Sequence, residues 1–130
     1  MPASVAHACL QSVPNKPGPA AELVASLKAF VEWQSSLAWL KDPPESYMLP
    51  PVDVQGSLDN ISATAQDGGY ASEYEFQLAI YTTIIAAHDG HFSYRPDIFK
   101  AFVFRNNLAA DIVSVSRNGT ELPKLYHRGE

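Results

Sequence analysis

Three stretches of the chain repeat apolar residues at helical spacing, and each predicts an amphipathic helix. In the first stretch, which follows Pro19, one apolar stripe consists of Leu23, Leu27, Phe30, Val31 and Ala38. A second stripe beside it consists of Trp33, Leu37 and Leu40, so this helix should bury more than one face. Pro43-Pro44 should end the helix, because proline lacks the backbone N–H and clashes with the preceding turn.

The second and third helices carry clearer end signals. Apolar positions of the second are Val54, Leu58, Ile61 and Ala65, and those of the third form two faces: Phe76, Ala79, Ile80, Thr83, Ile84 and Ala87, then Leu78, Tyr81 and Ile85. Two apolar faces predict a central position for the third helix. Gly68-Gly69 should stop the second helix, and Ser72 with Glu75 forms a capping box at the start of the third. Asp89-Gly90 should break the third helix.

Beyond residue 90 the apolar residues alternate, which predicts half-buried strands. The alternating pairs are Phe102 with Phe104 and Val113 with Val115. Asn118-Gly119 is the preferred two-residue hairpin turn, since both positions need positive φ, and it would place Val115 opposite Leu122. Pro123 cannot donate a ladder hydrogen bond, so the last strand should lie at an edge.

These elements predict an α+β fold, with a three-helix N-terminal region followed by short antiparallel strands and a C-terminal hairpin. Residues 1–20 contain four prolines and a glycine, which predicts an extended proline-rich arm. Residues 21–130 should form a single compact unit, helical over 21–88 and β over 91–127. A chain of 130 residues, 46% of them apolar, is long enough to bury one core.

Charge and cysteine content exclude several classes of partner. Lys and Arg number 9 against 14 Asp and Glu, a net charge of −5, so we expect no nucleic-acid partner. No apolar run approaches the roughly 20 residues that cross a bilayer, so we expect no membrane partner. Cys9 is the only cysteine, which excludes an internal disulfide and a cysteine-based zinc site.

The densest cluster of reactive side chains is Ala87-His88-Asp89-Gly90-His91-Phe92, at the predicted junction of helix and strand. An imidazole titrates near neutral pH, so a positioned His can take a proton from a nucleophile and return it to a leaving group. His91 is the candidate general base. The alternative is structural: His91 as a half-buried turn residue, and His88 placed at the negative end of a helix dipole.

Two further candidate sites have simpler structural explanations. His88, Asp89 and His91 could suggest a metal, but the two histidines lie across a glycine turn, and we predict no metal and no other cofactor. Trp33 and Trp39 could line a ligand pocket, yet their spacing among leucines favours core positions.

Four blocks of the sequence, in order, resemble the N-terminal region of fungal serine peptidases. They are Trp33-Gln34-Ser35, Leu40-Lys41-Asp42-Pro43-Pro44, Tyr74-Glu75-Phe76-Gln77 and Ala87-His88-Asp89-Gly90-His91-Phe92. Cys9-Leu10-Gln11-Ser12-Val13-Pro14 resembles the start of their mature chains. These peptidases belong to the tail-specific, or C-terminal processing, group, in the branch similar to the chlamydial protease-like activity factor.

The resemblance implies a secreted serine endopeptidase with a helical N-terminal region, a PDZ-like segment and a larger catalytic domain. The base of that branch follows an Asp-x-His pattern, which Asp89-Gly90-His91 matches, so the resemblance places the general base at His91. His88, Asp89 and Gly90 would support it. The family's nucleophilic Ser lies downstream of the region that these 130 residues resemble, and the first residues show no signal peptide.

Two hypotheses follow. In the first, the chain is the N-terminal portion of a secreted serine endopeptidase and supplies His91 to a site completed by another chain or a missing segment. Its partners would be a peptide or protein substrate and a downstream peptidase segment, or a second copy of itself. In the second, the chain is a free-standing truncated relative without peptidase activity, which serves as a binding or biosynthetic helper module for a small molecule or peptide.

Overall fold

The structure is a computed structural model that describes residues 1–103 and 112–127. Its helices are α1 (Ala3–Gln11), α2 (Pro17–Val31), α3 (Leu37–Lys41), α4 (Val54–Gln66) and α5 (Glu73–Ile85). A short 3-10 helix follows at Asp97–Lys100, and the strands β1 (Ile112–Val115) and β2 (Lys124–His127) pair antiparallel. The predicted α+β class with a C-terminal hairpin is confirmed.

The core forms where α4 packs against α2 and α5. All four apolar positions predicted for the second helix are buried on α4: Val54, Leu58, Ile61 and Ala65. Fully buried side chains face them from the neighbouring helices, namely Val24, Val31, Phe76, Ile80 and Ile84. Each large side chain removed from water stabilises the fold by about 1.5–3 kcal/mol, so this three-helix contact is the main source of stability.

The prediction that α5 is central is only half right. Phe76, Ile80 and Ile84 of its first apolar face are buried in the core, and Ala79 and Thr83 are half-buried. On the second face, Leu78 and Ile85 are exposed. Tyr81 on that second face packs its ring edge against Phe99, 5.3 Å away. Helix α5 therefore buries one stripe of side chains in the core and is not surrounded by other helices.

Residues 1–20 are not the extended arm that their prolines predict. Pro2 precedes α1 and the next proline is Pro14, so residues 3–11 are free to form a helix, which packs against α5. Pro17 stands in the first turn of α2, where the missing N–H would have no helical partner anyway. The prolines separate helices here and do not prevent them.

The first predicted helix is broken in two between Val31 and Leu37. The break changes the direction of the second apolar stripe, so that Leu40 is buried while Trp33 is 90% exposed and Trp39 66% exposed. The expectation that both tryptophans lie in the core is therefore wrong. A periodic stripe predicts burial only while the helix continues.

Caps and turn residues hold the ends of α4 and α5. The Asp53 carboxylate accepts the Gly56 N–H at 2.9 Å to begin α4, and Gly68, at φ +69°, ends it as predicted. The Ser72 hydroxyl accepts the Glu75 N–H at 3.2 Å, which confirms the cap of α5. The Glu75 carboxylate accepts the Ala71 N–H at 3.2 Å, whereas a capping box predicts that it accepts the Ser72 N–H.

The C-terminal hairpin has a longer loop than predicted. Val115 pairs with Lys124 and not with Leu122, because Asn118 and Ser116 make hydrogen bonds inside the loop. The Asn118 side-chain oxygen accepts the Glu121 N–H at 2.9 Å. All residues of both strands are exposed, so the prediction of half-buried strands is wrong for this hairpin.

The predicted strand that contains Phe102 is absent from the described residues between 91 and 103, where a 3-10 helix stands instead. Phe104, its expected partner on the same side, lies outside the described residues. No helix within residues 1–103 and 112–127 combines the length and the apolarity needed to cross a membrane.

Candidate active site

The segment that carries the candidate base leaves the end of α5 through a left-handed residue. Helix α5 ends at Ile85, earlier than the predicted break, and the His88 N–H donates to the Ile85 carbonyl at 3.0 Å. His88 has φ +52°, in a region that few residues other than glycine adopt but in which His is enriched. This conformation turns the chain before Asp89.

Asp89 holds the turn that follows. One carboxylate oxygen accepts the His91 N–H at 2.9 Å, and the other accepts the Gln34 side-chain amide at 2.9 Å. The first bond closes an Asx turn, a local alternative to a backbone turn. The His91 N–H, followed by the Gln34 amide, lowers the pKa of the Asp89 carboxyl, so this acceptor is ionised at neutral pH.

The His91 ring is fully exposed on this turn. Its Nδ1 lies 3.7 Å from Asp89 Oδ1, beyond hydrogen-bond distance but close enough for electrostatic attraction to the carboxylate. Phe92, only 8% exposed, anchors the backbone immediately after the ring. The alternative interpretation of His91 as a half-buried turn residue is therefore wrong. The imidazole is accessible to solvent or to another chain.

A partly buried chain of hydrogen bonds holds the residues that follow His91. The Tyr94 hydroxyl donates to Gln77 Oε1 at 2.7 Å, and Gln77 in turn donates to Glu73 Oε1 at 2.6 Å. Burial, then the charges of Glu73 and Asp97, raise the pKa of Tyr94, so the phenol remains a neutral donor. Helix α5 thus fixes the chain on both sides of His91.

Sequence reasoning missed Gln34 and Gln77 as supporting residues. Gln34 joins the break after α2 to Asp89, across 55 residues of sequence, and Gln77 is buried on α5. Both glutamines belong to sequence blocks that resemble the peptidases. This resemblance was the one signal in the sequence that could have identified them as supporting residues. Ser36, at the end of the same break, and Asp89 also line an open cavity of about 290 Å³.

No serine hydroxyl makes a hydrogen bond to His91 within residues 1–103 and 112–127. Across those same ranges, no group of three or more His, Cys, Asp and Glu residues could hold a metal ion. Cys9 is a free, exposed thiol on α1. The described residues therefore bring together a candidate base and its supports, and they place no nucleophile at the ring.

Comparison with known proteins indicates the class of enzyme to which this region is similar. Over 97 residues, which are 75% of its length, the chain is 34% identical to proteins of the peptidase S41 family. Two such relatives are Peptidase S41 family protein phomP1' and Peptidase S41 family protein phomP1, both from Diaporthe leptostromiformis. The match spans 14% of the length of each relative, so the similarity concerns a small part of those proteins. No protein-family profile matches the chain, and no solved structure matches it.

Proposed function

We propose that the chain is the N-terminal portion of a secreted serine endopeptidase of the tail-specific group, and that His91 is its general base. One observation carries the proposal. In a chain 34% identical to peptidase S41 family proteins, the imidazole of an Asp-x-His motif stands exposed on a turn that Asp89 and Gln34 hold in place. Secretion rests on the resemblance to the family.

The exposure of His91 favours a site that is completed from outside the described residues. A general base acts within about 2.6–3.2 Å of the proton that it removes, and a catalytic site excludes water around the reacting groups. The fully exposed ring meets neither condition by itself. A separate segment or chain would therefore cover the ring and bring the serine to it.

In the completed site the chemistry is acyl transfer. His91 takes the proton of the serine hydroxyl while the serine oxygen attacks the carbonyl carbon of the peptide bond. The protonated imidazole then gives that proton to the leaving amine as the C–N bond breaks, and a water molecule hydrolyses the acyl-enzyme. Asp89 is a positioning residue in this scheme, because it fixes the His91 backbone and places a negative charge near the imidazolium.

A chimera tests the assignment. The 97-residue region of phomP1 that matches this chain is replaced by the chain, and cleavage of a fluorogenic peptide library is measured for the parent and for His91→Ala. We expect His91→Ala to lower kcat by roughly 10²–10⁴-fold, the usual contribution of a general base. His7→Asn is the matched control, because this histidine lies on α1 and packs against Tyr74, and the variant should retain full activity.

A serine-directed fluorophosphonate probe provides a second readout that does not depend on the choice of peptide. The parent chimera should be labelled and His91→Ala should not, with circular dichroism showing that both are folded. Cleavage or labelling that survives His91→Ala overturns the assignment of the base. A folded chimera with neither activity would favour the helper-module hypothesis.

A further inference from the structure

A cavity of about 290 Å³ opens beside the His91 turn. Its apolar walls come from α3, from the proline segment after α3 and from the residue before His88: Trp39, Leu40, Pro43, Pro44, Tyr47 and Ala87. Asp89 stands at the same wall, two residues before His91. The cavity therefore adjoins the candidate active site and is not a remote feature of the surface.

Its walls are built before any ligand arrives. Leu40 and Ala87 are buried core residues, and the Val52 N–H holds the Leu40 carbonyl at 2.6 Å. The Tyr47 N–H donates to the Pro44 carbonyl at 2.9 Å and closes the proline segment into a turn. Because prolines and hydrogen bonds fix the backbone here, little conformational entropy would be lost when a ligand binds.

Size and polarity indicate what this cavity accepts. Sites for small ligands are usually about 300–1,000 Å³, so a cavity at the lower limit suits a single bulky side chain. The carboxylate oxygens of Asp89 already accept bonds from Gln34 and His91, which leaves the walls predominantly apolar. An aromatic or branched aliphatic side chain is the matching occupant.

Trp39 also lines a second hollow. It has a volume of about 200 Å³ and is walled by Ala38, Trp39 and Asp42. Asp42 is exposed and forms no ion pair with any residue in the described part of the chain. A cation in this hollow would lie close to both an indole ring and a carboxylate, and each attracts it.

We propose that these two hollows are adjoining subsites for a peptide substrate. The apolar subsite beside Asp89 takes a bulky apolar side chain, and the acidic subsite at Asp42 takes the Lys or Arg next to it. Their role as substrate subsites rests on the proposed peptidase function. The binding of a dipeptide with these two side chains does not depend on the peptidase function. It is inferred only from the geometry of Trp39 and its neighbours.

Tryptophan fluorescence tests the proposal directly on the full chain, which contains two tryptophans. Trp33→Phe leaves Trp39 as the reporter, and the variant is titrated with three acetylated dipeptide amides, Phe-Lys, Phe-Glu and Ala-Lys. We expect saturable binding of Phe-Lys, binding of Phe-Glu weaker by about threefold or more, and no saturable response to Ala-Lys. Trp39→Phe is the matched control, since Trp33 is 90% exposed and lines neither hollow, and its emission should not respond.

Asp42→Asn tests the acidic subsite, because it should remove the preference for Phe-Lys over Phe-Glu. Equal responses from Trp33 and Trp39, or a preference unchanged in Asp42→Asn, would overturn the proposal. His91→Ala should bind Phe-Lys like the parent chain. An active chimera whose chain does not bind the dipeptide rejects the subsites alone, whereas binding without any His91-dependent cleavage rejects the peptidase assignment alone.

Discussion

Removing one hydroxyl group, by Tyr94→Phe, tests whether α5 anchors the segment after His91. In the folded chain this hydroxyl donates to Gln77 Oε1 at 2.7 Å, and Gln77 is only 8% exposed. The substitution leaves the ring in place and deprives the Gln77 oxygen of its donor. The perturbation is therefore one hydrogen bond with almost no change of shape.

The expected loss of stability depends on the Gln77 oxygen, which the substitution leaves without a donor. An average hydrogen bond contributes about 0.5–1.5 kcal/mol to stability, whereas a buried polar group left without a partner costs about 1–3 kcal/mol. Tyr94 is half-buried, so water can replace part of the lost bond. We expect Tyr94→Phe to lower the free energy of unfolding by about 1–2 kcal/mol, which corresponds to a fall in Tm of roughly 3–8 °C.

Urea unfolding followed by circular dichroism measures this cost. Tyr81→Phe is the matched control, because Tyr81 is half-buried like Tyr94 while its hydroxyl has no hydrogen-bond partner among residues 1–103 and 112–127. A double-mutant cycle with Gln77→Met isolates the contribution of this hydrogen bond. In the Gln77→Met background, Tyr94→Phe should leave the free energy of unfolding almost unchanged. The reasoning is refuted if Tyr94→Phe costs no more than Tyr81→Phe, or if its cost is the same with and without Gln77.

Three further outcomes are expected, each measured by urea denaturation. Leu58→Ala should cost about 2–5 kcal/mol because the side chain is fully buried, whereas Leu78→Ala, at a 38% exposed position, should cost much less; equal losses would contradict the core described above. Gly68→Ala should cost about 1 kcal/mol, since Ala is strained at φ +69°, and no loss would argue against that turn. The Lys41 ammonium lowers the pKa of Asp53, so the stability from this pair is complete above the ordinary aspartate value and is lost as the pH falls below about 4. Asp53→Asn should therefore reduce the acid sensitivity, and an unchanged acid profile would contradict the pairing.

Local rules predicted those elements whose determinants lie within a few residues of one another. The repeat of Val54, Leu58, Ile61 and Ala65 is the buried face of α4, because one helix face follows from its own period. Ser72 caps α5 and Gly68 ends α4 for equally local reasons. Composition and periodicity together were also enough for the α+β class.

Local rules failed where a long element breaks or where side chains compete with a backbone turn. The break after Val31 exposes Trp33 and Trp39, and no periodicity within the stripe marks it. The hydrogen bonds of Asn118 inside the hairpin loop displace the two-residue turn that Asn118-Gly119 favours. Competing local bonds of this kind have similar free energies, so the surrounding chain selects among them.

At the candidate site, the motif Asp89-Gly90-His91 and its position after a helix are predictable from the order of residues alone. The exposure of His91, the bond between Gln34 and Asp89, and the presence of Trp39 in the lining of two hollows could be read only from the folded chain. The physical reason is distance along the chain. The Gln34–Asp89 bond joins residues 55 positions apart, and it exists because the packing of α2, α4 and α5 brings the end of one helix to the end of another.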